Sequence, residues 1–275
     1  MIRKEGNTMK TIFTAKMISN AIDMINKVFE RKGVKRELDP ESEIKAAIQT
    51  SYNTMSPEEI KKAVRAALCT DHTGKMHGIW SISTSCLMNA RCLARMLNGE
   101  SICAHCFSAS MNGNYDALRV KLMRNTVLLN SVELTPDMIP EIRCKSKMFR
   151  FESFGDLVSP LQVKNYFTIA KAIEDQGRGV ICALWTKNPD IIAKAIEMYG
   201  ITKPGNLQII LSTLKVNDTP AAVEYEFIDK VFTVYDPEFI EANNININCG
   251  ARDCSTCKRC YTKHDGIEYI SEKLK

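Results

Sequence analysis

The sequence predicts an α/β protein: a partial or compact barrel-like, mainly parallel sheet, with a helical N-terminal extension and a Cys-rich C-terminal segment. Three observations predict it. From about Gly78 onward, short apolar runs alternate with amphipathic stretches, the pattern of βαβ units. The residues before that carry helical periodicity alone. Eight of the 11 cysteines fall in two short stretches, one after the first apolar run and one after the last. A doubly wound sheet is the other arrangement such units permit.

The extension reads as three helices. In Lys16–Lys32, Met17, Ile18, Ala21, Ile22, Ile25, Val28 and Phe29 recur at three- and four-residue spacing, and Gly33 stops the run. Asp39 followed by Pro40 opens a second helix carrying Ile44, Ala47 and Ile48. Ser56, Pro57 and Glu59 form a capping-box pattern ahead of Ile60, Val64 and Ala67.

Five strands follow, at Gly78–Ser83, Met148–Phe154, Gly179–Thr186, Leu207–Thr213 and Lys230–Tyr235. Between them lie helices at Tyr115–Leu129, Pro160–Gln176, Pro189–Tyr199 and Ala221–Phe227. The implied organisation is residues 1–70 as the extension, 71–248 as the core with its Cys-rich loop 86–106, and 249–275 as a metal-binding segment.

Composition narrows the class. The chain has 275 residues, 45% hydrophobic and 25% charged, which excludes collagen-like, disordered and repeat proteins. A net charge of +5 is too mild to indicate nucleic-acid binding. Residues 1–40 are the basic part, with Arg3, Lys4, Lys10, Lys16, Lys27, Arg31, Lys32, Lys35 and Arg36 against five anions. They read as a solvated helical face or as a polyanion patch. No apolar run approaches the ~20 residues needed to span a bilayer, and no secretory signal is visible. A cytoplasmic protein is expected, and there clustered cysteines mean metal ligation sooner than disulfides.

The C-terminal group is Cys249-x4-Cys254-x2-Cys257-x2-Cys260. Its C-x2-C-x2-C run matches thiolates wrapping the corners of a [4Fe–4S] cluster; zinc is the alternative. Arg252, Lys258 and Arg259 would offset the charge of such a centre. The upstream group is Cys86-x5-Cys92-x10-Cys103-x2-Cys106, looser, and open to iron–sulfur, zinc or a redox pair at Cys103 and Cys106. His105 inside that knuckle reads as a ligand, as a hydrogen-bond donor behind the ligands, or as an exposed side chain. Cys69, Cys144 and Cys182 stand alone, Cys182 as a buried apolar residue within a strand. His72 and His77, in DHTGKMH, read as part of a polar loop or as ligands or a proton donor. No GxGxxG, Walker A, HExxH, GxSxG or kinase signature is present.

In parallel α/β folds the working face lies at the carboxyl ends of the strands. Ser153, Gly155 and Asp156 end the second strand, Thr186 and Lys187 the third, and Tyr235 the fifth. These six are the candidate cofactor-binding residues. Asp156 reads as a carboxylate for an amino group or cation, or as a turn cap; Lys187 reads as an anion contact or a helix-entry residue.

The ordered set IWSISTSC, CAHCFSAS, FRFESFGDL, ALWTKNP, VFTVYD and CSTCKRCY resembles the phage gene-product-88-like family over roughly Gly78–Tyr261. The resemblance rests on Cys106-Phe107-Ser108, Gly155-Asp156, Thr186-Lys187 and the terminal cysteine cluster, and it carries no activity with it. The sequence departs from relatives at Leu87-Met88, where a Pro-Gly is expected. More distantly, the chain resembles radical S-adenosylmethionine enzymes, although it lacks their C-x3-C-x2-C loop. That resemblance implies S-adenosylmethionine as cofactor, with Asp156 at the methionyl amino group if three cysteines ligate.

The expected function is that of a phage-type iron–sulfur protein with one or two [4Fe–4S] clusters. Its use would be redox or radical-SAM-like, with a small-molecule substrate or redox partner. The alternative is a zinc-stabilised interaction or nucleic-acid-binding module without catalysis.

Overall fold

The computed structural model describes residues 15–35, 37–218 and 223–274. The expected basic positions Arg3, Lys4, Lys10 and Arg36 lie outside them, as do Ala221 and Ala222 of the expected fourth helix.

The three N-terminal helices form where the sequence places them: α1 at Ala15–Arg31, α2 at Pro40–Ile48 and α3 at Pro57–Ala67. Asp39 caps α2 by accepting from the Ser42 amide at 3.0 Å. Ser56 and Glu59 close a reciprocal capping box on α3. Their apolar faces, with Ile25, Val28, Ile44, Ile60 and Val64 all buried, join one hydrophobic core with Phe149, Phe151 and Leu184 of the sheet. The extension is therefore packed into the core. From the carboxyl end of α1, Arg31 donates to the carbonyls of Met96 and Leu97, and Lys32 to that of Ala104 at 2.9 Å. Those bonds pin the Cys-rich loop from behind.

Six parallel strands make one sheet in sequential order: β1 Trp80–Ile82, β2 Met148–Phe151, β3 Ile181–Thr186, β4 Leu207–Ser212, β5 Lys230–Tyr235 and β6 Glu268–Lys273. Register pairs such as Phe149↔Cys182, Leu184↔Ile209 and Phe232↔Ile270 run through it. The order never reverses, so the arrangement is that of an unclosed barrel and not a doubly wound sheet. One face packs on the helices. The other carries Met148, Ala183, Ile210, Phe232 and Ile270, and Tyr261 of the C-terminal segment packs against it.

Further helices are α4 Ala90–Leu97, α5 Phe107–Asn114, α6 Asp116–Ser131, α7 Pro160–Asp175, α8 Pro189–Tyr199, α9 Pro237–Asn243 and the single turn α10 Cys254–Cys257. The helix expected over 221–227 does not form in its described part. Val223, Tyr225 and Phe227 alternate with Glu224 and Glu226, a period of two that lays three apolar side chains against the core in an extended turn. The second strand ends at Phe151 and not Phe154, because Glu152 takes a φ of +56° and breaks the extension. Among the described residues no helix is long and apolar enough to cross a membrane.

Candidate functional site

A cavity of about 660 Å³ opens at the carboxyl ends of the strands. Cys86, Cys92, Cys103 and Cys106 line it from one side, and Cys249, Cys254 and Cys260 from the other. Cys257 faces a small adjoining hollow of about 30 Å³ that it shares with Cys249, Cys254 and Cys260. Two stretches more than 140 residues apart in the chain thus meet around one opening. The eleven thiols are all free of disulfides.

The upstream group is shaped by short elements. Cys86 stands in a 3-10 turn just past β1, Cys92 in α4, and Cys103 in the 3-10 turn Ile102–His105. Cys106 is the N-cap of α5. Cys86 and Cys106 share a hydrogen bond, which holds the Cys106 thiol down at about 6, against its burial and with help from the backbone amides of Ala109 and Ser108. The same bond, together with burial, drives Cys86 up. Burial raises Cys92. The Ser108 hydroxyl donates to Cys86 Sγ at 3.4 Å. His105 also lines the cavity.

In the C-terminal group, Asp253 caps α10 by accepting from the Thr256 amide at 2.7 Å and the Ser255 hydroxyl at 2.6 Å. Lys258, at φ +56°, ends the turn and swings Cys260 and Tyr261 back to the sheet. The Cys249 amide donates to Ser271 of β6 at 2.9 Å. Burial raises Cys249 and Cys254 and pushes Cys260 to about 12. Arg150 of β2 opposes that rise at Cys254 and Cys260. Its guanidinium lies 4.5 Å over the Trp185 ring, and its Nε and the Trp185 Nε1 are buried without an acceptor among the described residues. Among the described residues no carboxylate pairs with Arg150. No three His, Cys, Asp or Glu side chains among them are drawn tightly enough together to hold a single metal ion.

Five of the six strand-end candidates line the cavity: Ser153, Gly155, Asp156, Thr186 and Lys187. Tyr235 does not. The alternation of β5 turns Phe232 and Val234 toward the opening, and Tyr235 stacks instead on Phe239 of α9 at 5.9 Å. Asp156 is spent on local structure: its Oδ1 accepts from the Thr186 hydroxyl at 2.6 Å and the Leu157 amide at 2.8 Å, and its Oδ2 from the Lys187 amide at 3.0 Å. It clamps the loop after β2 to the end of β3. The cap of α7 is Ser159, which accepts from the Gln162 amide at 3.3 Å. Ser153 is tied through its amide to the Ser83 hydroxyl at 2.9 Å. Lys187 donates to the Ser212 hydroxyl at 2.6 Å.

Glu152, just before the strand-end candidates, is a further member of the site. Its buried carboxyl accepts from the Thr84 amide and hydroxyl, Gln162 and Tyr166. Burial pushes it up to about 7 despite those bonds. Arg95, not among the sequence candidates, lies 3.8 Å from Asp156 Oδ2 and bonds Asn188 at 2.8 Å. Its one sequence signal is position: it falls three residues after Cys92 on α4.

Fold and site define an α/β protein with an open, sequentially ordered parallel sheet whose mouth is walled by two cysteine groups. The chain belongs to the family described as gene product 88, whose sequence model matches residues 41–269. Neither a curated protein nor a solved structure matches it.

Proposed function

We propose that this chain is an iron–sulfur protein of the cytoplasm, host cytoplasm if phage-encoded. It would hold a [4Fe–4S] cluster on Cys249, Cys254, Cys257 and Cys260, and a second on Cys86, Cys92, Cys103 and Cys106. The observation that carries the reading is the meeting of seven of these thiols around one cavity, with the eighth in the adjoining hollow. Thiols raised by burial, as Cys249, Cys254 and Cys260 are, favour the uncharged form until a cationic centre replaces their protons. Arg150, with no carboxylate partner among the described residues, suits the net negative charge that four thiolates give a cluster.

When bound, such clusters supply one-electron transfer, so the use we propose is redox chemistry on a small molecule or a redox partner. A radical S-adenosylmethionine variant draws on the cysteine loop leaving β1 and the sequential strand order, and the family match adds nothing to it. Asp156, whose oxygens already accept from Leu157, Thr186 and Lys187, is poorly suited to the amino-group role that variant gave it.

The test is protein purified without air. A brown solution with broad absorbance near ~400 nm and acid-labile sulfide supports the reading. A colourless protein with stoichiometric zinc replaces it with a zinc-braced interaction module.

A further inference from the structure

We propose that the cavity binds a small organic anion, its carboxylate or phosphate on Lys187 and Ser212 and its ring against Phe154 and Phe107. The cavity, at about 660 Å³, is large enough for such a molecule. The argument is one of charge left over.

Among the described residues three carboxylates and five cations line the opening: Glu152, Asp156 and Glu272 against Lys75, Arg95, Arg150, Lys187 and Lys273. Lys75 pairs with Glu272 at 2.8 Å. The carboxylate of Asp156 is filled by Thr186 and two backbone amides, with Arg95 at 3.8 Å beside it. Glu152 spends its oxygens on Thr84 and on Gln162 and Tyr166 of α7. Lys187 is left with a hydroxyl, the 2.6 Å contact to Ser212, and among the described residues no carboxylate pairs with it. An ammonium has three donors, so two remain for a ligand. A cation so placed, beside a hydroxyl and inside a concave site, is suited to an anionic group.

The second half of the site is apolar. Phe107 is 62% exposed at the start of α5, yet it lines the cavity and tilts against Phe154 at 5.9 Å between ring centroids. Two aromatic rings so arranged offer a flat ligand somewhere to bury its face.

This inference stands on the cavity and does not need the clusters. The test is calorimetric titration of the full chain, its iron and zinc content measured beforehand, with phenyl phosphate, benzoate, inorganic phosphate and benzylamine. Phenyl phosphate and benzoate should bind and benzylamine should not. Phe107→Ala should reduce phenyl phosphate to the affinity of inorganic phosphate. Lys187→Met should weaken phenyl phosphate about tenfold or more, and Lys187→Arg should restore it. If Lys187→Met does not fold, Ser212→Ala and added salt should each weaken wild-type-like binding. Benzylamine binding as well as the anions, an unchanged Lys187→Met, or no binding by any anion overturns the proposal. Colourless protein that binds the anions ends the cluster reading alone, and brown protein that ignores them ends this one alone.

Discussion

Arg150 and Trp185 pack guanidinium on indole, 4.5 Å apart, on the sheet face that meets the C-terminal cysteines. The pair joins two buried donors, Arg150 Nε and Trp185 Nε1, that have no acceptor among the described residues. Arg150 acts electrostatically on Cys254 and Cys260, drawing both toward the thiolate. Arg150→Met should therefore lower the iron retained by the C-terminal group and make the midpoint potential of what remains more negative, since a nearby cation favours the more reduced, more negative centre. Metal analysis and a potentiometric titration check this; unchanged iron and potential would show that Arg150 serves packing alone.

Gly155 allows the loop after β2 to lie against Thr84. A Cβ there would sit 2.5 Å from both the carbonyl and the hydroxyl oxygen of Thr84, and 2.8 Å from Glu152 Oε2. Two of those three atoms belong to a buried, hydrogen-bonded residue that cannot swing aside. Gly155→Ala should cost about 1–3 kcal/mol in denaturant unfolding, the usual range for overpacking. A wild-type midpoint would mean that the loop has room to move.

Glu152 makes stability depend on pH in an unusual direction. Its carboxyl rises from an ordinary 4.5 to about 7 in the folded chain. Between those values the unfolded chain has lost the proton while the folded chain keeps it. Stability from this group therefore falls as pH rises through about 4.5 to 7, by at most roughly 3 kcal/mol. Glu152→Gln should flatten that slope in unfolding curves taken across the window. A slope unchanged by the substitution would place the titration elsewhere.

Lys230 and Glu268 are register partners on β5 and β6, and their charges meet at 2.5 Å with Lys230 wholly buried. Glu268 also receives Arg259 at 2.5 Å and His264 at 2.9 Å. Removing the acid strands a buried ammonium; removing the lysine leaves the acid still paired. Glu268→Gln should thus cost about 3–5 kcal/mol, and more than Lys230→Met. Thermal unfolding of the two variants decides, and equal costs would contradict the pairing.

That sixth strand explains where the sequence was opaque. Its EYISEK segment holds one deeply buried side chain, Ile270, and its long polar residues find partners across the sheet. Nothing local marks it as a strand; the pairing with β5 creates it. The caps at Asp39 and Ser56, by contrast, are local devices and were legible letter by letter. So were β3, β4 and β5, whose apolar runs are buried on both faces. Val223–Phe227 is too short for its period of two to stand out from a helical pattern, and only its packing on the core makes it extended. At the site, the cysteines and the Gly155–Asp156 and Thr186–Lys187 strand ends were readable from position. What Asp156 bonds to was not, and neither was the presence of Arg95, because both depend on contacts between segments far apart in the chain.

The central claim is that these thiols hold iron and sulfide, and counting both per chain tests it most directly. Wild-type protein prepared without air should carry about eight of each if both groups are filled, and about four if one is. Cys254→Ser joined with Cys260→Ser should remove one set of about four and leave Cys86, Cys92, Cys103 and Cys106 supplied. Iron and sulfide at background level in wild-type protein would contradict the account.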